Sequence, residues 1–269
     1  MNPMVALTIA GSDSGAGAGI QADLKTFAAF GVYGVSALTA VTAQNTLGVR
    51  AVEELDPAMV AAQIDAVGDD FPIASLKTGM LSNAAIIEAV ADRIKERGLK
   101  PLVVDPVMVA KSGDRLLRED AIEALRRRLL PLARLVTPNI PEAEVLTGVS
   151  ITSLDDRLIA AHAILSMGAA AVIVKGGHGK EDPVVDLLVE ASGVSSFSAP
   201  RLDTRHTHGT GCTFSAAVTA GLARGASLGQ AVGDARRYLS RALADAPGLG
   251  HGHGPLQHDL VIEALDVVR

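Results

Sequence analysis

The sequence predicts an α/β protein whose doubly wound, mostly parallel central sheet is covered by helices on both faces. Short apolar runs rich in β-branched residues alternate along the chain with longer segments of helical periodicity. Several of the helical segments end in glycine, which commonly terminates a helix. Continuous apolar strands that alternate with helices are typical of parallel sheets buried on both faces.

Each element is predicted from its own pattern. The β-branched runs predict strands at residues 5–10, 34–41, 75–78, 101–105, 135–137 and 171–174. Helices are predicted from IQADLKTFAAFG, DPAMVAAQIDAVGDD, NAAIIEAVADRIKERG, REDAIEALRRRLLP, SLDDRLIAAHAILSMG and residues 228–244 and 259–268. An antiparallel hairpin at one edge of the sheet is predicted for residues 183–188 and 195–198. Because no repeat, linker or change in composition divides the chain, we expect residues 1–269 to form one domain.

Composition excludes several classes of function. Of the 269 residues, 48% are hydrophobic, which is ample for a large core. The net charge is −6 and the longest basic run is RRR at residues 126–128, so we expect no nucleic-acid binding. A single cysteine excludes an internal disulfide framework and a CxxC motif. The N-terminus is typical of a first strand, and the apolar runs are too short to span a membrane, so we expect a cytoplasmic protein without membrane association.

The segment AGSDSGAGAGIQADLKTF, at residues 10–27, follows a predicted strand and opens a helix. Its spacing departs from the dinucleotide fingerprint GxGxxG. When the pattern is started at Gly15, its last glycine position is occupied by Ile20. It also lacks the Lys-Ser/Thr ending of a phosphate-binding Walker A loop. A tight turn accounts for some of the glycines but not for the nearby Asp13 and Asp23. A nicotinamide- or flavin-dependent oxidoreductase is therefore disfavoured.

Polar side chains follow the other predicted strands, where ligands of α/β sheets bind. The amide of Gln44 matches the amine and ring nitrogen of an aminopyrimidine, although glutamine at a strand end is more often an ordinary turn residue. Asp105 is placed to meet a cation or a metal-bound water. The spacing of Asn139 and Glu142 fits either a metal–phosphate site or a helix N-terminal cap. Lys175, before two glycines, suits a phosphate.

The segment HTHGTGCTFSAAV, at residues 206–218, places the chain's single cysteine where a helix begins. A helix N-terminus presents unpaired N–H groups and a positive dipole end, which favour an anion. Gly209 and Gly211 let the backbone approach that anion closely. We expect the same environment to lower the pKa of Cys212. Cys212 is therefore predicted to take a proton from a substrate hydroxyl; the alternative is a small buried hydrophobic residue.

These motifs resemble those of a known family. GTGC before a helix of small residues, with the N-x-x-E pair and the strand-end lysine, resembles the ribokinase-like kinases, most of which have Asp in place of Cys212. The cysteine version resembles the hydroxymethylpyrimidine/phosphomethylpyrimidine kinases of thiamine biosynthesis. That resemblance rests on AGSDSGAGAGIQADLKTF, VTAQNTLGV, KTGML, VVDPVMVAKSG and HGTGC, which occur in the family's order over residues 5–255.

The resemblance implies a ribokinase-like fold, a homodimer and two successive ATP-dependent transfers. The first acts on the hydroxyl of 4-amino-5-hydroxymethyl-2-methylpyrimidine and the second on the resulting monophosphate. It implies that Gln44 reads the aminopyrimidine edge and that Asp23 lies near the hydroxymethyl group. The pocket walls would be Gly11, Met80 and Val107.

The resemblance also implies how ATP is held. Asp105, Asn139 and Glu142 would organise Mg²⁺ and its waters around the ATP phosphates, with Asp105 and Glu142 reaching the metal through water. Lys175 would offset phosphate charge. The anion hole would consist of Gly209, Thr210 and Gly211, with Cys212 as the base.

Two alternatives and two departures from the family remain. Pyridoxal also carries a hydroxymethyl group on a flat ring, but it lacks the edge that Gln44 matches, so a pyridoxal kinase is the nearest alternative. A noncatalytic ligand-binding protein of the same fold is disfavoured by the intact polar residues.

Ala16 replaces a glycine of the family's loop, which we expect to require a negative φ. His206 stands where asparagine is usual. Residues 108–114 are predicted to form a lid.

Overall fold

The computed structural model describes residues 3–108, 119–179 and 181–260. Its strands are β1 (Val5–Asp13), β2 (Tyr33–Asn45), β3 (Gly48–Glu54), β4 (Ile73–Thr78), β5 (Leu102–Val104), β6 (Leu135–Val136), β7 (Ala171–Val174), β8 (Val184–Glu190) and β9 (Gly193–Ala199). Its helices are α1 (Gly19–Ala29), α2 (Pro57–Asp70), α3 (Ala84–Arg97), α4 (Glu119–Ala124), α5 (Ile140–Thr147), α6 (Leu154–Ser166), α7 (Thr210–Ala223) and α8 (Leu228–Ala244).

Within these residues the strands form one nine-stranded sheet in the order β3-β2-β1-β4-β5-β6-β7-β8-β9. The strands β2, β1, β4, β5, β6 and β7 run parallel to one another. The antiparallel strands are β3 at one edge and the β8–β9 hairpin at the other. The predicted mostly parallel sheet and its edge hairpin are confirmed. The reversal of strand order at β1 creates the crevice in which doubly wound sheets bind ligands.

The helices cover both faces of the sheet, as predicted. Helices α1, α7 and α8 pack on one face, and α2 to α6 pack on the other. Successive strand residues alternate between the two layers: Leu7 and Ile9 face the larger group of helices, whereas Ala6 faces α1 and α7. Burial on both faces explains why the strands are continuously apolar in the sequence.

Two elements differ from the predictions. Strand β3 was not predicted, because GVRAVEE carries three charged residues and is largely exposed as an edge strand. The predicted helix REDAIEALRRRLLP is divided into α4, a π-helical turn at Leu125–Leu129 and a 3₁₀ turn at Leu130–Leu132. Pro131 lies in that last turn and has no N–H to continue the helical hydrogen bonds.

Some predictions fall on residues that are not described. They are residues 109–114 of the predicted lid, with Lys111 and Gly113, and residues 261–268 of the predicted last helix. In the described segments, the helices are all too short or too polar to cross a membrane.

Candidate active site

The carboxyl ends of the parallel strands open into a cavity of about 700 Å³. Its lining follows the strand order, from Gln44 on β2 and Gly11 on β1 to Asp105 after β5 and Lys175 after β7. The first turn of α7 also lines it. Because ligands of doubly wound sheets bind at this edge, the cavity is the candidate active site.

The predicted site residues converge on this cavity, with one exception. Those that line it are Gly11, Gln44, Met80, Asp105, Val107, Asn139, Glu142, Lys175, Gly209, Thr210, Gly211 and Cys212. The exception is Asp23, whose side chain is completely buried behind the lining. Its carboxylate faces the protein interior, and its position near a substrate hydroxymethyl group stays a prediction.

Asp23 instead forms a buried ion pair with Lys77 of β4. The Nζ of Lys77 lies 2.8 Å from Oδ1 of Asp23, and neither side chain has any exposed surface. The hydroxyl of Thr8 donates a 2.6 Å hydrogen bond to the other carboxylate oxygen. Burial opposes the charged form of Lys77, but the charge and hydrogen bond of Asp23, together with Cys212 and Asp105, outweigh it and raise the pKa of Lys77 above its ordinary value. A permanent cation therefore lies beneath the cavity.

Asp105 is the centre of the polar contacts at the cavity floor. Its Oδ1 accepts hydrogen bonds from Nζ of Lys175 and from the hydroxyl of Thr137, each at 3.2 Å. Its Oδ2 accepts a 3.3 Å hydrogen bond from the hydroxyl of Ser215 on α7. A β-carbon on Gly211 would lie 3.4 Å from both Oδ2 of Asp105 and Nζ of Lys175. The start of α7 therefore contacts this ion pair directly.

Lys175 remains charged in this environment. Burial works against its ammonium group, but the carboxylates of Asp105 and Glu142 outweigh that effect and raise the pKa of Lys175. The ammonium group borders the cavity. It is therefore placed to attract a phosphate.

Asn139 and Glu142 fit both interpretations of their spacing, a helix N-terminal cap and a place at a metal–phosphate site. They form a reciprocal capping box at the start of α5: the N–H of Asn139 donates to Glu142 at 2.8 Å, and the N–H of Glu142 donates to Oδ1 of Asn139 at 2.9 Å. Both residues also line the cavity. The helix cap thus holds the two side chains at the edge of the candidate site.

The charge of Glu142 is sensitive to what binds nearby. Burial raises the pKa of Glu142 to about 7; Lys175 lowers it, and Asp105 adds to the rise. A cation that arrived here would favour the ionised form. In the described segments no cluster of three or more His, Cys, Asp or Glu residues could hold a metal alone. These two carboxylates fit a magnesium ion that takes most of its ligands from phosphate and water.

Cys212 lies in the first turn of α7, as predicted, and is partly exposed. Its predicted low pKa is contradicted. Burial raises the pKa of the thiol from 9.0 to about 12; Lys77 works in the opposite direction, and Asp23 and Asp105 add to the rise. The helix N-terminus favours a thiolate, but desolvation and two neighbouring carboxylates dominate. The side chain is therefore a neutral thiol at neutral pH.

The glycine turn, defined here as residues 14–18, packs against the start of α7. Gly209, the N-cap of α7, has a φ of +80°, and a β-carbon there would overlap the carbonyl oxygen of Gly17. Only glycine has both the conformation and the space that this contact requires.

Ala16, in the same turn, contradicts the expectation of a negative φ, because its φ is +58°. This left-handed conformation costs about 1–2 kcal/mol for a residue with a β-carbon. Two hydrogen bonds of 2.9 Å hold it: the N–H of Ala16 donates to the carbonyl of Asp13, and Nζ of Lys25 donates to the carbonyl of Ala16.

Gln44 lies inside β2 and not beyond it, and its backbone is fixed to the glycine turn. The hydroxyl of Ser14 accepts from the N–H of Gln44 at 2.8 Å and donates to its carbonyl at 2.7 Å. Its side chain lies beside His208, which contacts Oδ2 of Asp13 at 2.8 Å. The turn thereby connects Gln44 to the segment that leads into α7.

Asp13 anchors this arrangement. Burial acts to raise the pKa of Asp13, but His208 and the backbone N–H groups of Gly15 and Ala18 outweigh it, so the pKa lies below its ordinary value. The carboxylate also accepts from the N–H of Gly17 at 3.0 Å. Asp13 therefore stays ionised and holds the turn around itself.

Several of these residues were not selected from the sequence. Asp13, Lys77 and His208 stand inside motifs that carry the family resemblance, so motif membership was a usable signal for each of them. Ser215 is one turn of α7 after Cys212 and had no separate signal. His206, where the family usually has asparagine, lies outside the cavity lining and donates its backbone N–H to Thr204.

Comparisons with known proteins identify the family of this chain. The family model for phosphomethylpyrimidine kinase matches residues 13–257. A hydroxymethylpyrimidine/phosphomethylpyrimidine kinase of Bacillus subtilis (strain 168) is 52% identical over 254 residues, which cover 94% of each chain.

Solved structures of two kinases share this fold. The ADP complex of Bacillus subtilis pyridoxal kinase has a TM-score of 0.90 and 41% identity, over 96% of this chain and 98% of that one. The phosphomethylpyrimidine kinase of Clostridium difficile 630 has a TM-score of 0.80 and 45% identity, over 89% and 99% of the two chains.

The doubly wound sheet, with a helix N-terminus facing an aspartate–lysine pair, defines an ATP-dependent kinase of the ribokinase-like class. The match over residues 13–257 and the identity near 50% give the particular family. The chain belongs to the phosphomethylpyrimidine kinase family.

The buried ion pair gives a first testable prediction. Lys77→Met leaves the carboxylate of Asp23 buried without a counter-ion, which is expected to lower the free energy of unfolding by about 3–5 kcal/mol. The double variant Lys77→Met, Asp23→Leu removes both charges and is expected to recover most of that loss. Urea unfolding of the three proteins measures these differences.

A surface pair provides the matched control. Asp92 and Arg128 are each nearly half exposed, so Asp92→Asn is expected to change the free energy of unfolding by less than about 1 kcal/mol. Equal losses in Lys77→Met and Asp92→Asn would contradict the special cost of the buried pair.

The thiol gives a second prediction. With a pKa of about 12, the rate of Cys212 alkylation by iodoacetamide is expected to rise about tenfold per pH unit from pH 7 to 10. An ordinary cysteine levels off near pH 9 because its pKa is about 8.5. Whole-protein mass spectrometry reports this residue alone, because the chain has one cysteine.

The shape of the pH profile decides the outcome, since limited access slows alkylation equally at every pH. A plateau below pH 8 would mean that the helix N-terminus lowers the thiol pKa after all. Cys212→Ser serves as the blank, and the urea-unfolded protein supplies the profile of an ordinary thiol.

Proposed function

We propose that this kinase phosphorylates 4-amino-5-hydroxymethyl-2-methylpyrimidine to its monophosphate, and then the monophosphate to the diphosphate, in thiamine biosynthesis. The single observation that carries the proposal is the presence of Gln44 in the same cavity as the start of α7. Its amide offers the acceptor and the donors that an aminopyrimidine edge requires.

The pyrimidine would lie at the β2–β1–β4 end of the cavity. Gly11 and Met80 border that end, and together with Val107, which follows β5, they would form the walls around the ring. A β-carbon on Gly11 would lie 3.2 Å from the sulfur of Met80, so the glycine leaves space beside a polarizable side chain. Asp23 would act indirectly, as the counter-ion that keeps Lys77 charged beneath the ring.

ATP would lie at the β5–β8 end. Lys175 would contact its phosphates, and the N–H groups of Gly209, Thr210 and Gly211 would surround the transferring phosphoryl group at the helix N-terminus. Asp105 and Glu142 would hold Mg²⁺, in part through water, while Asn139 keeps Glu142 in position. The metal would supply charge that neutralises the phosphates during transfer.

Cys212 would be the catalytic residue next to the substrate hydroxyl, in a role that fits a neutral thiol. Its sulfur would accept a hydrogen bond from the hydroxyl and orient the oxygen toward the phosphoryl group. Phosphoryl transfer has a loose transition state, so the oxygen can keep its proton until the new bond is well advanced. The proton then passes to a phosphate oxygen or to water.

Assembly and location are further proposals. The resemblance to the family supports a homodimer. The use of ATP supports a location in the cytoplasm, where ATP is made available to biosynthetic kinases. Sedimentation equilibrium of the purified protein measures its oligomeric state.

Product analysis tests the function. The enzyme is incubated with ATP, Mg²⁺ and either the hydroxymethylpyrimidine or pyridoxal, and the products are identified by mass. We expect the monophosphate and then the diphosphate of the pyrimidine, because Gln44 matches its edge. Pyridoxal phosphate as the only product would overturn the proposal, while the ATP end of the site would stand.

Pyridoxal kinase remains the second candidate because of one specific finding. The pyridoxal kinase of Bacillus subtilis superposes on this chain with a TM-score of 0.90. The ratio of kcat/KM for the two substrates ranks the candidates, and replacing Gln44 by leucine is the control, since it removes the group that favours the aminopyrimidine.

Two substitutions of Cys212 distinguish its role. If the thiol orients the hydroxyl, Cys212→Ala is expected to lower kcat about 10–30-fold, which corresponds to one hydrogen bond of about 1–2 kcal/mol. Cys212→Ser keeps a hydrogen-bonding group and is expected to retain most of kcat. Losses of about 10²–10⁴ in both variants would indicate a general base instead. The KM of the pyrimidine is measured alongside and is expected to change little.

A further inference from the structure

The recognition residue Gln44 is embedded in a polar cluster that decides which way its side-chain amide points. The structure places Nε2 of Gln44 3.4 Å from Nε2 of His208, and Oε1 of Gln44 3.1 Å from the hydroxyl of Thr42. The hydrogens of the neighbouring groups show whether an amide nitrogen or an amide oxygen belongs at each position.

His208 must be a donor at this nitrogen. Its Nε2 lies 2.8 Å from Oδ2 of Asp13, and Asp13 accepts backbone N–H groups from Gly15, Gly17 and Ala18 at 2.8–3.0 Å. A carboxylate with these three donors is ionised and can only accept. Nε2 of His208 therefore carries a hydrogen that points to Asp13.

A donor at Nε2 of His208 conflicts with a second donor beside it. If the amide nitrogen of Gln44 lay there, N–H groups would face one another. If the amide oxygen lies there, it is a second, weaker acceptor for the Nε2–H of His208, beside the carboxylate of Asp13. This end of the amide therefore favours the oxygen of Gln44.

Thr42 gives the same result from the other end. Its hydroxyl has one hydrogen, and it donates that hydrogen to the carbonyl of Ser12 at 3.0 Å. The hydroxyl can then only accept from Gln44. Both neighbours thus require Oε1 of Gln44 toward His208 and Nε2 of Gln44 toward Thr42.

We infer that Asp13 and His208 are positioning residues that fix the side-chain amide of Gln44 with its oxygen toward α7, and that this orientation sets the specificity for an aminopyrimidine. In this arrangement Gln44 keeps one lone pair and one N–H for a ligand. The inference deepens the proposed function, on which the identity of that ligand rests.

The orientation has a chemical consequence for the substrate. The amine at C4 of the pyrimidine binds the amide oxygen, and the adjacent ring nitrogen binds the amide N–H. The amine is then on the side of His208, from which the chain runs directly into the 209–212 segment. Because the hydroxymethyl group is on C5, next to the amine, it would lie on the side of the start of α7, which carries Cys212. The opposite amide orientation would turn the hydroxymethyl group away from Cys212.

The surrounding fold leaves His208 little freedom to turn. Its side chain is about nine-tenths buried, and a β-carbon on Gly17 would overlap its ring at Cδ2. The backbone N–H of His208 donates to the carbonyl of Gly254 at 3.1 Å. The ring is therefore a fixed support for Gln44.

Nuclear magnetic resonance of the substrate-free protein tests the orientation itself. We expect nuclear Overhauser contacts from the side-chain NH₂ of Gln44 to the methyl group of Thr42, and none to the Hε1 or Hδ2 protons of His208. The reverse pattern would overturn the inference. This result does not depend on which substrate the kinase uses, so a failure of the proposed function would be recognised separately.

Binding measured by calorimetry without ATP tests the specificity. His208→Leu removes the donor, whereas His208→Gln keeps an N–H near the same place. We expect His208→Leu to raise the dissociation constant of the hydroxymethylpyrimidine about tenfold. With His208→Gln, that dissociation constant is expected to stay within about threefold of its value in the original protein. The dissociation constant of pyridoxal is expected to change by less than about threefold in both variants.

Coupling to Gln44 separates positioning from a general structural effect. In the Gln44→Leu background, His208→Leu is expected to have no further effect on pyrimidine binding, since the amide it orients is gone. Equal losses in both backgrounds, equal losses for both ligands, or no loss with His208→Leu would each overturn the inference. Unfolding midpoints of all variants accompany the binding data.

Discussion

The site depends on one close contact, in which the glycine turn after β1 meets the start of α7. Gly209 can approach the carbonyl of Gly17 because it has no β-carbon and adopts a left-handed φ. This approach places His208 against Asp13 on one side and Cys212 over the buried cation of Lys77 on the other. A side chain at either glycine would separate the two segments. The end of the cavity that contains Gln44 and the end that contains the start of α7 would then no longer be held in a fixed arrangement.

The charges around this contact are balanced for a ligand that carries its own negative charge. Two lysines, Lys77 and Lys175, face the carboxylates of Asp23, Asp105 and Glu142 within the interior. Burial makes each unpaired charge costly, so the ion pairs hold the side chains in place before a ligand arrives. The pKa of Glu142 near 7 shows that the last carboxylate is only partly compensated. Phosphates with a bound cation would complete the balance by pairing both the lysine and the remaining carboxylate.

The sequence predicted the parallel sheet and both helical layers, and nearly all of the site residues that it predicted line the cavity, because strand ends in a doubly wound sheet meet at one edge. The burial of Asp23 was not predicted: its place in α1 gave no sign that the side chain turns inward to Lys77, which is 54 residues away along the chain. The expectation of a low pKa for Cys212 was wrong for a related reason. A helix N-terminus can be read from GTGC, whereas desolvation and the charges of Asp23 and Asp105 arise only from tertiary packing. The edge strand β3 was missed because its exposed, charged residues lack a hydrophobic period.

A thiol at the start of α7 is consistent with this electrostatic setting. A carboxylate at the position of Cys212 would add a further negative charge beside Asp23 and Asp105, and either its pKa would rise or Lys77 would be drawn away from Asp23. A neutral thiol avoids that conflict, and in the proposed reaction it would leave the helix N–H groups available to the transferring phosphoryl group alone. The charges of Lys77, Asp23 and Asp105 therefore also explain why a weakly acidic group is tolerated here. In the proposed reaction, alignment and fixed positive charge would supply what a strong base would otherwise provide.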